Sequence, residues 1–338
     1  MTIYAVVAEA GDVDSYDVPF STTMMSSTSG NKRAGVRASF AVRSNRGIRK
    51  KLRNGTPSEF WFRWVFRGQA NMLTNLPYIT FYELGVPLFR ISTGATSGDT
   101  LKLERYDSGA WSTLVTSVIL SPSTFNNLYV YDLHIKLGNP GICTLYATLA
   151  SNDAPAKIID ETALNLAFPG VIGVDEFYVT GVYNTSTDHW VSEMIMTDWC
   201  TLGAELRVTT PNANGTYLEF TAGDYLSIDE PVLDTVYALS GTADQRLSYS
   251  KTAVAALMAG GNIESVFIGS TANYDAAGGP TKLNHFWRIS SIDYHSADAV
   301  LATALAGVQT QYDLSPATGL PWTLTELNAA QAGFRSRA

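Results

Sequence analysis

Between positions 59 and 67 the chain reads Glu-Phe-Trp-Phe-Arg-Trp-Val-Phe-Arg, with five aromatic residues in nine. An extended backbone sends consecutive side chains to opposite faces of a sheet, and aromatic residues pack well there. Rings on both faces are incompatible with a half-solvated edge. The segment therefore predicts a central strand buried on both sides, with Trp61, Trp64 and Phe66 in the core.

Strand signals surround it. Residues 35–43 alternate, with Val36, Ala38, Phe40 and Val42 on one face and Arg37, Ser39, Ala41 and Arg43 on the other. Extended runs follow at 78–82, 87–91 and 101–106, and Asp107-Ser-Gly-Ala predicts a tight bend before Trp111. Residues 128–136 and 143–149 predict a hairpin turned by Gly138-Asn-Pro-Gly141. The stretch from Asp175 to Asp198 also reads as a hairpin, one that gathers Glu176, His189, Glu193 and Asp198. Two short helices are expected. One spans Thr252–Ala259; the other opens on the capping box Thr323-Leu-Thr-Glu326 and stops at Gly333. A boundary near 200–206 precedes a loop at 211–216 and shorter strands at 217–221, 236–239, 265–269 and 284–292. Short strands with turn chemistry between them indicate an all-β antiparallel sandwich over residues 1–200, then a second, smaller β-rich module over 201–338 with a short C-terminal helix.

Charged residues are only 16% of the chain, against about 25% in ordinary soluble domains. Ser, Thr and Asn must supply much of the polar surface, which suits a surface shared with neighbours. The formal net charge of −8 argues against nucleic acid as a partner. The first basic residue is Lys32 and no apolar run reaches the 18–20 or so residues of a membrane span, so the expectation is a cytoplasmically made chain without membrane insertion. Nine of the 23 Lys and Arg residues crowd into positions 32–53 with no acid among them. Either they guard a strand edge against unwanted pairing, or Arg37, Arg43, Arg46, Arg49, Lys50, Lys51 and Arg53 form a contact for an acidic neighbour. Cys143 and Cys200 have no metal-ligand spacing; two reduced, buried thiols are expected, with a disulfide left open.

Some of these residues are familiar as a set. Glu59-Phe-Trp-Phe-Arg-Trp-Val with Pro87-Leu-Phe-Arg-Ile-Ser resembles the opening strands of a concanavalin A-like (laminin-G-like) jelly roll. Residues 101–111, 129–141 and 143–149 continue that order. Beyond it, Thr209–Gly215 and the stretch Asp313–Phe334 are similar to modules of bacteriophage virion proteins. The resemblance implies a jelly roll and a structural role on a phage or phage-like particle, as tail, fibre or head decoration. It further implies assembly in the host cytoplasm, contacts with other virion proteins and with copies of itself, and in some members binding of a host-surface glycan. No acidic calcium loop of the lectin kind is evident.

Enzymatic signatures are missing. There is no E-x-D-x-x-E strand, no G-x-S-x-G elbow and no H-E-x-x-H pair, and His134, His189, His285 and His295 are scattered. Asp12, Asp14 and Asp17 alternate like calcium ligands, yet lack the glycine bend and distal glutamate. The expectation is a non-enzyme with no cofactor and no metal. Tyr106, Trp111, Trp190 and Trp199 lie near turns and are the candidate glycan or interface aromatics.

Overall fold

A computed structural model describes residues 2–7, 15–16, 25–26, 39–42, 47–67, 74–94, 100–118, 128–149, 154–181, 189–229, 237–256, 261–275 and 278–338. These divide into two compact units, one ending at Leu206 and one beginning at Arg207.

The first unit contains β1 (Ile3–Val7), β2 (Ser15–Tyr16), β3 (Met25–Ser26), β4 (Ser39–Val42), β5 (Ile48–Lys51), β6 (Glu59–Arg67), β7 (Pro77–Glu83) and β8 (Val86–Thr93). It continues with β9 (Leu101–Asp107), β10 (Ala110–Thr116), β11 (Leu128–Lys136), β12 (Gly138–Leu149), β13 (Ala156–Leu166), β14 (Glu176–Val179) and β15 (His189–Thr197). One sheet runs β13-β12-β11-β6-β15-β4-β3, with β1 added on β15; the other runs β10-β9-β8-β7-β14-β5-β2. All pairings are antiparallel, and the unit is a jelly-roll sandwich.

β6 is the central strand that its composition demands. It pairs with β11 along its whole length, from Leu128↔Arg67 to Lys136↔Glu59, and with β15 on its other side. Phe60, Phe62, Trp64 and Phe66 point at the second sheet. Phe62 meets Phe177 at 4.8 Å and Phe81 at 5.6 Å, Phe66 meets Tyr78 at 5.2 Å, and the Trp64 indole donates to the Tyr78 hydroxyl at 3.0 Å. Such aromatic contacts add about 0.5–1.5 kcal/mol each beyond the area they bury. The opposite face of β6 is closed by an ion pair. Arg63 donates to both Asp132 oxygens at 3.1 and 3.0 Å and to the Thr201 carbonyl, while the Thr201 hydroxyl donates to Asp132 at 2.7 Å. This pins Thr201 against the first sheet. Trp61 departs from expectation: it sits half-exposed on that outer face, stacked on His134 at 4.7 Å.

The turns follow their chemistry. Ser108-Gly109 and Leu84-Gly85 both take left-handed φ values, the geometry of tight hairpins. The Asp175–Asp198 stretch is not a hairpin, because β14 lies in the second sheet and β15 in the first. Its two arms face each other across the core, so Glu176 is separated from Glu193 and Asp198.

The second unit contains β16 (Pro211–Leu218), β17 (Arg246–Lys251), β18 (Val266–Ala272), β19 (Lys282–Ile289), β20 (Ile292–His295), β21 (Ala299–Val300), β22 (Ala306–Tyr312), α1 (Leu324–Ala329) and β23 (Gln331–Arg337). A sheet ordered β16-β17-β23-β19-β20, with β21 on β19, accompanies a β18-β22 ribbon. Trp287, Trp322, Leu327 and Phe334 anchor its core. Thr323 caps α1 by accepting from the Glu326 amide at 3.1 Å, as the capping box predicts, but the Glu326 carboxylate accepts from Ser315 instead of closing the box.

Four expectations for this unit need correction. Gly333 does not stop the helix: it lies in β23, where a Cβ would come within 2.4 Å of the Phe286 ring. Residues 211–216 are strand rather than loop, since β16 pairs with β17 through bulges. Residues 284–292 are a strand and a turn, with Ser290 and Ser291 both left-handed. Residues 252–256 form no helix; the Val254 amide and carbonyl instead bond the Asn328 side chain.

Phe62→Ala should cost the first unit about 3–5 kcal/mol in urea unfolding, the range for emptying a ring-sized core site. In the second unit, Lys251 is buried with its ammonium donating to the Leu327 and Ala330 carbonyls, and burial lowers its pKa to about 8. The unfolded chain then binds the extra proton between about pH 8 and 10.5, so folding gains stability as pH rises through that window. Melting temperatures of the native chain minus those of Lys251→Met should therefore increase from pH 8 to pH 10.

Candidate binding face

Alternation in the second sheet sorts its residues into two sets. Phe177 and Val179 of β14, Phe81 of β7 and Phe89 and Ile91 of β8 point into the core. The intervening residues must point away from it. The strand register aligns one of them from each of six strands in a row: Arg49↔Tyr178↔Thr80↔Arg90↔Glu104↔Thr113. At about 4.8 Å between strands, this row spans roughly 24 Å.

Two arginines dominate the row, and each lies on aromatic rings. The Arg90 guanidinium is 4.1 Å from the Trp111 ring centre, with Tyr106 beside Trp111 at 5.0 Å. Arg49 lies 4.3 Å from the Tyr178 ring and 5.4 Å from Tyr82. Such contacts hold both ring and guanidinium in place. Short side chains, Thr80 and Ser92, form a buried floor between their longer neighbours.

Glu104 is held as an anion. Glu104 accepts from Arg90 Nε at 2.6 Å, Ser92 Oγ at 2.6 Å and Lys102 Nζ at 3.2 Å. Burial alone would raise its pKa, but the hydrogen bonds from Ser92 and Arg90 outweigh it and leave the pKa below the ordinary carboxylate value. Lys102 also donates to Asn75 at 2.9 Å. At the other end Glu176 accepts from Arg49 Nη1 at 2.6 Å; burial opposes the Arg49 charge, and the Glu176 bond more than restores it. Glu104 and Glu176 stand three strands apart, about 14 Å.

The structure thus joins parts of two sequence candidates. Arg49 and exposed Lys51 share this outer face with Tyr106 and Trp111. Lys50 is excluded as a surface contact: it is 1% exposed and aligned with Phe177, on the core side. Arg53 is half-buried, and Arg37, Arg43 and Arg46 lie outside the described residues. Trp190 and Trp199 belong elsewhere. Trp190 is on β15 in the first sheet, Trp199 follows that strand, and both indole N–H groups are buried without an acceptor among the described residues. Arg90, Tyr82 and Tyr178 were missed. Only the pairing register reveals them, because they come from strands distant in sequence.

Among the described residues no group of three or more His, Cys, Asp or Glu could hold a metal ion, and no helix is long and apolar enough to cross a membrane. Asp12, Asp14 and Asp17 lie outside the described residues. Cys143 and Cys200 are unpaired; Cys143 is buried, which pushes its pKa upward, whereas Cys200 is exposed, contrary to expectation. His134 joins Trp61, Glu59 and Tyr146 on the outer face of the first sheet. His285 is fully buried between Ser270 and Thr310.

No family model and no curated protein sequence matches this chain. Solved structures with partial likeness include an endo-β-1,4-glucuronan lyase from the fungus Trichoderma reesei, 14% identical, covering 55% of this chain and 96% of that one at a TM-score of 0.36. The globular domain of T. cruzi calreticulin is 10% identical over 60% of this chain and 90% of that one, TM-score 0.38. An alginate lyase from Pseudomonas aeruginosa is 11% identical over 53% and 87%, TM-score 0.31. Overlaps this slight assign no residue of the site.

Glu104→Gln should destabilise the first unit by about 3 kcal/mol at pH 7, the scale for leaving buried cations without their anion. Because the folded pKa is depressed, the native advantage exists above the unfolded value near 4.5 and is lost as pH falls through the folded value. Chemical denaturation of both proteins at pH 7 and pH 3 checks this: the gap should shrink at the lower pH.

Proposed function

We propose that this chain is a non-catalytic recognition subunit that binds a saccharide across the outer face of its second sheet. The observation that carries the reading is the six-strand row, with partly exposed rings beside Arg49 and Arg90. A sugar ring presents an apolar face to an aromatic side chain and hydroxyls to hydrogen-bonding neighbours. Trp111, Tyr106, Tyr82 and Tyr178 supply the first requirement; Arg90, Lys102, Asn75 and Arg49 supply the second. Orientation is fixed before binding, which reduces the entropy a ligand must overcome.

The same face supports binding over turnover. Its two carboxylates are ion-paired, and a glycosidase needs a carboxyl kept protonated as the acid. Their separation of about 14 Å also exceeds the 6.5–9.5 Å or so used for inverting hydrolysis.

A second role favours the second unit. Among the described residues, nine large apolar side chains are exposed there, among them Tyr237 at 69%, Val300 at 78% and Leu320 at 64%, against four in the larger first unit. A surface this rich in exposed apolar side chains suits contact with other proteins. Together with the sparse charge of the chain, this supports a subunit held in an assembly by its second unit while the first engages the glycan. A phage-like particle, with other virion proteins and copies of this chain as neighbours, is the assembly that the C-terminal resemblance suggests.

Affinity electrophoresis in gels containing host-surface polysaccharides tests the binding role. The native chain should be retarded, Trp111→Ala should lose about tenfold or more in affinity, and Trp190→Ala should not change it. Equal retardation of both variants would remove the binding face from consideration.

A further inference from the structure

The guanidinium groups in the row have donors left over. Arg90 uses only Nε, for Glu104, and Arg49 uses only Nη1, for Glu176. Neither makes another hydrogen bond with the described residues, and neither has a buried, unpartnered nitrogen, so the remaining N–H groups open to solvent. Arg49 is 37% exposed and Arg90 16% at the side chain. A guanidinium has five donors arranged as a fork, and a carboxylate on one edge leaves a second edge shaped for another planar anion. Ring stacking prevents either arginine from swinging to satisfy itself elsewhere.

Charge on the face agrees with this. Arg49, Lys51, Arg90 and Lys102 are its strand cations, Glu104 and Glu176 its strand acids, so four minus two leaves an excess of two positive charges in a chain whose net charge is −8. A locally positive face on an acidic protein concentrates anions.

We propose, on the basis of the saccharide-binding reading above, that the ligand is a carboxylate-bearing polysaccharide, a polyuronate, laid across the strands along Arg49, Tyr178, Thr80 and Arg90. The two arginines are three strands apart, about 14 Å, and grip carboxylates on separate sugar units of one chain. Trp111 and Tyr106 continue the track past Arg90. A ligand too short to reach both arginines gains only one of the two forks, so affinity depends on length.

Isothermal titration of the full chain with hexagalacturonate, digalacturonate, cellohexaose and dextran sulfate tests the assignment. The expected result is hexagalacturonate binding about tenfold or more tighter than digalacturonate, weakening with added salt, with no comparable affinity for cellohexaose. Arg49→Gln and Arg90→Gln should each reduce hexagalacturonate affinity by about tenfold, and His134→Ala on the other sheet should leave it unchanged. Arg49→Gln is the decisive variant, since Arg49 is more exposed and its loss leaves the Glu104 cluster intact. Cellohexaose binding as well as hexagalacturonate would overturn the polyuronate assignment while keeping the saccharide reading. Dextran sulfate binding alone would overturn the choice of carboxylate. Binding of none of the four, or hexagalacturonate binding untouched by Arg49→Gln, would overturn the proposal, and the first of these would remove the saccharide reading too.

Discussion

The first unit depends on the contact between Phe60, Phe62, Trp64 and Phe66 of β6 and the rings of Tyr78, Phe81, Phe89 and Phe177 opposite. This contact does more than bury area. A strand has period two, so committing Phe177 and Phe81 to the core commits Tyr178, Glu176 and Tyr82 to the outside. A slip of one residue in β14 would bury Arg49's partners and expose Phe177. The rings that hold the sandwich together therefore also decide which side chains face outward.

The outer faces of the two sheets are finished differently. Over the first, the Arg63–Asp132 pair holds Thr201 in place, and Trp61 stacks with His134 and Tyr146. A buried ion pair adds little net stability against apolar packing but penalises any arrangement that separates its members. Over the second, ion pairs and ring contacts fix the side chains while leaving hydrogen-bonding capacity unspent. A binding face requires this combination of rigid side chains with open donors.

Much of this fold was legible in the sequence. The density of rings from 60 to 66 identified β6 as central, Asp107-Ser-Gly-Ala marked the turn from β9 to β10, and Thr323 marked the start of α1. These signals are local. Where packing across the fold decides, sequence reading failed. Glu176 to Val179 and His189 to Thr197 look like hairpin arms but serve opposite sheets. Gly333 reads as a helix stop, yet its bare Cα makes room for Phe286 in a strand. Lys50 shares a basic run with Arg49 and Lys51, but strand parity turns it inward. The outward face was only half visible: Trp111 and Tyr106 lie near a turn that advertises itself, whereas Arg90, Tyr82 and Tyr178 reach the face through register alone.

Carbene footprinting of the whole chain, with and without a bound polysaccharide, examines the outward row most directly. Ligand-dependent protection should form one patch containing Arg49, Tyr178, Arg90 and Trp111, with Trp61 and Tyr146 labelled equally in both states. Protection centred on Trp61, His134 and Tyr146, with the second sheet unaffected, would contradict it.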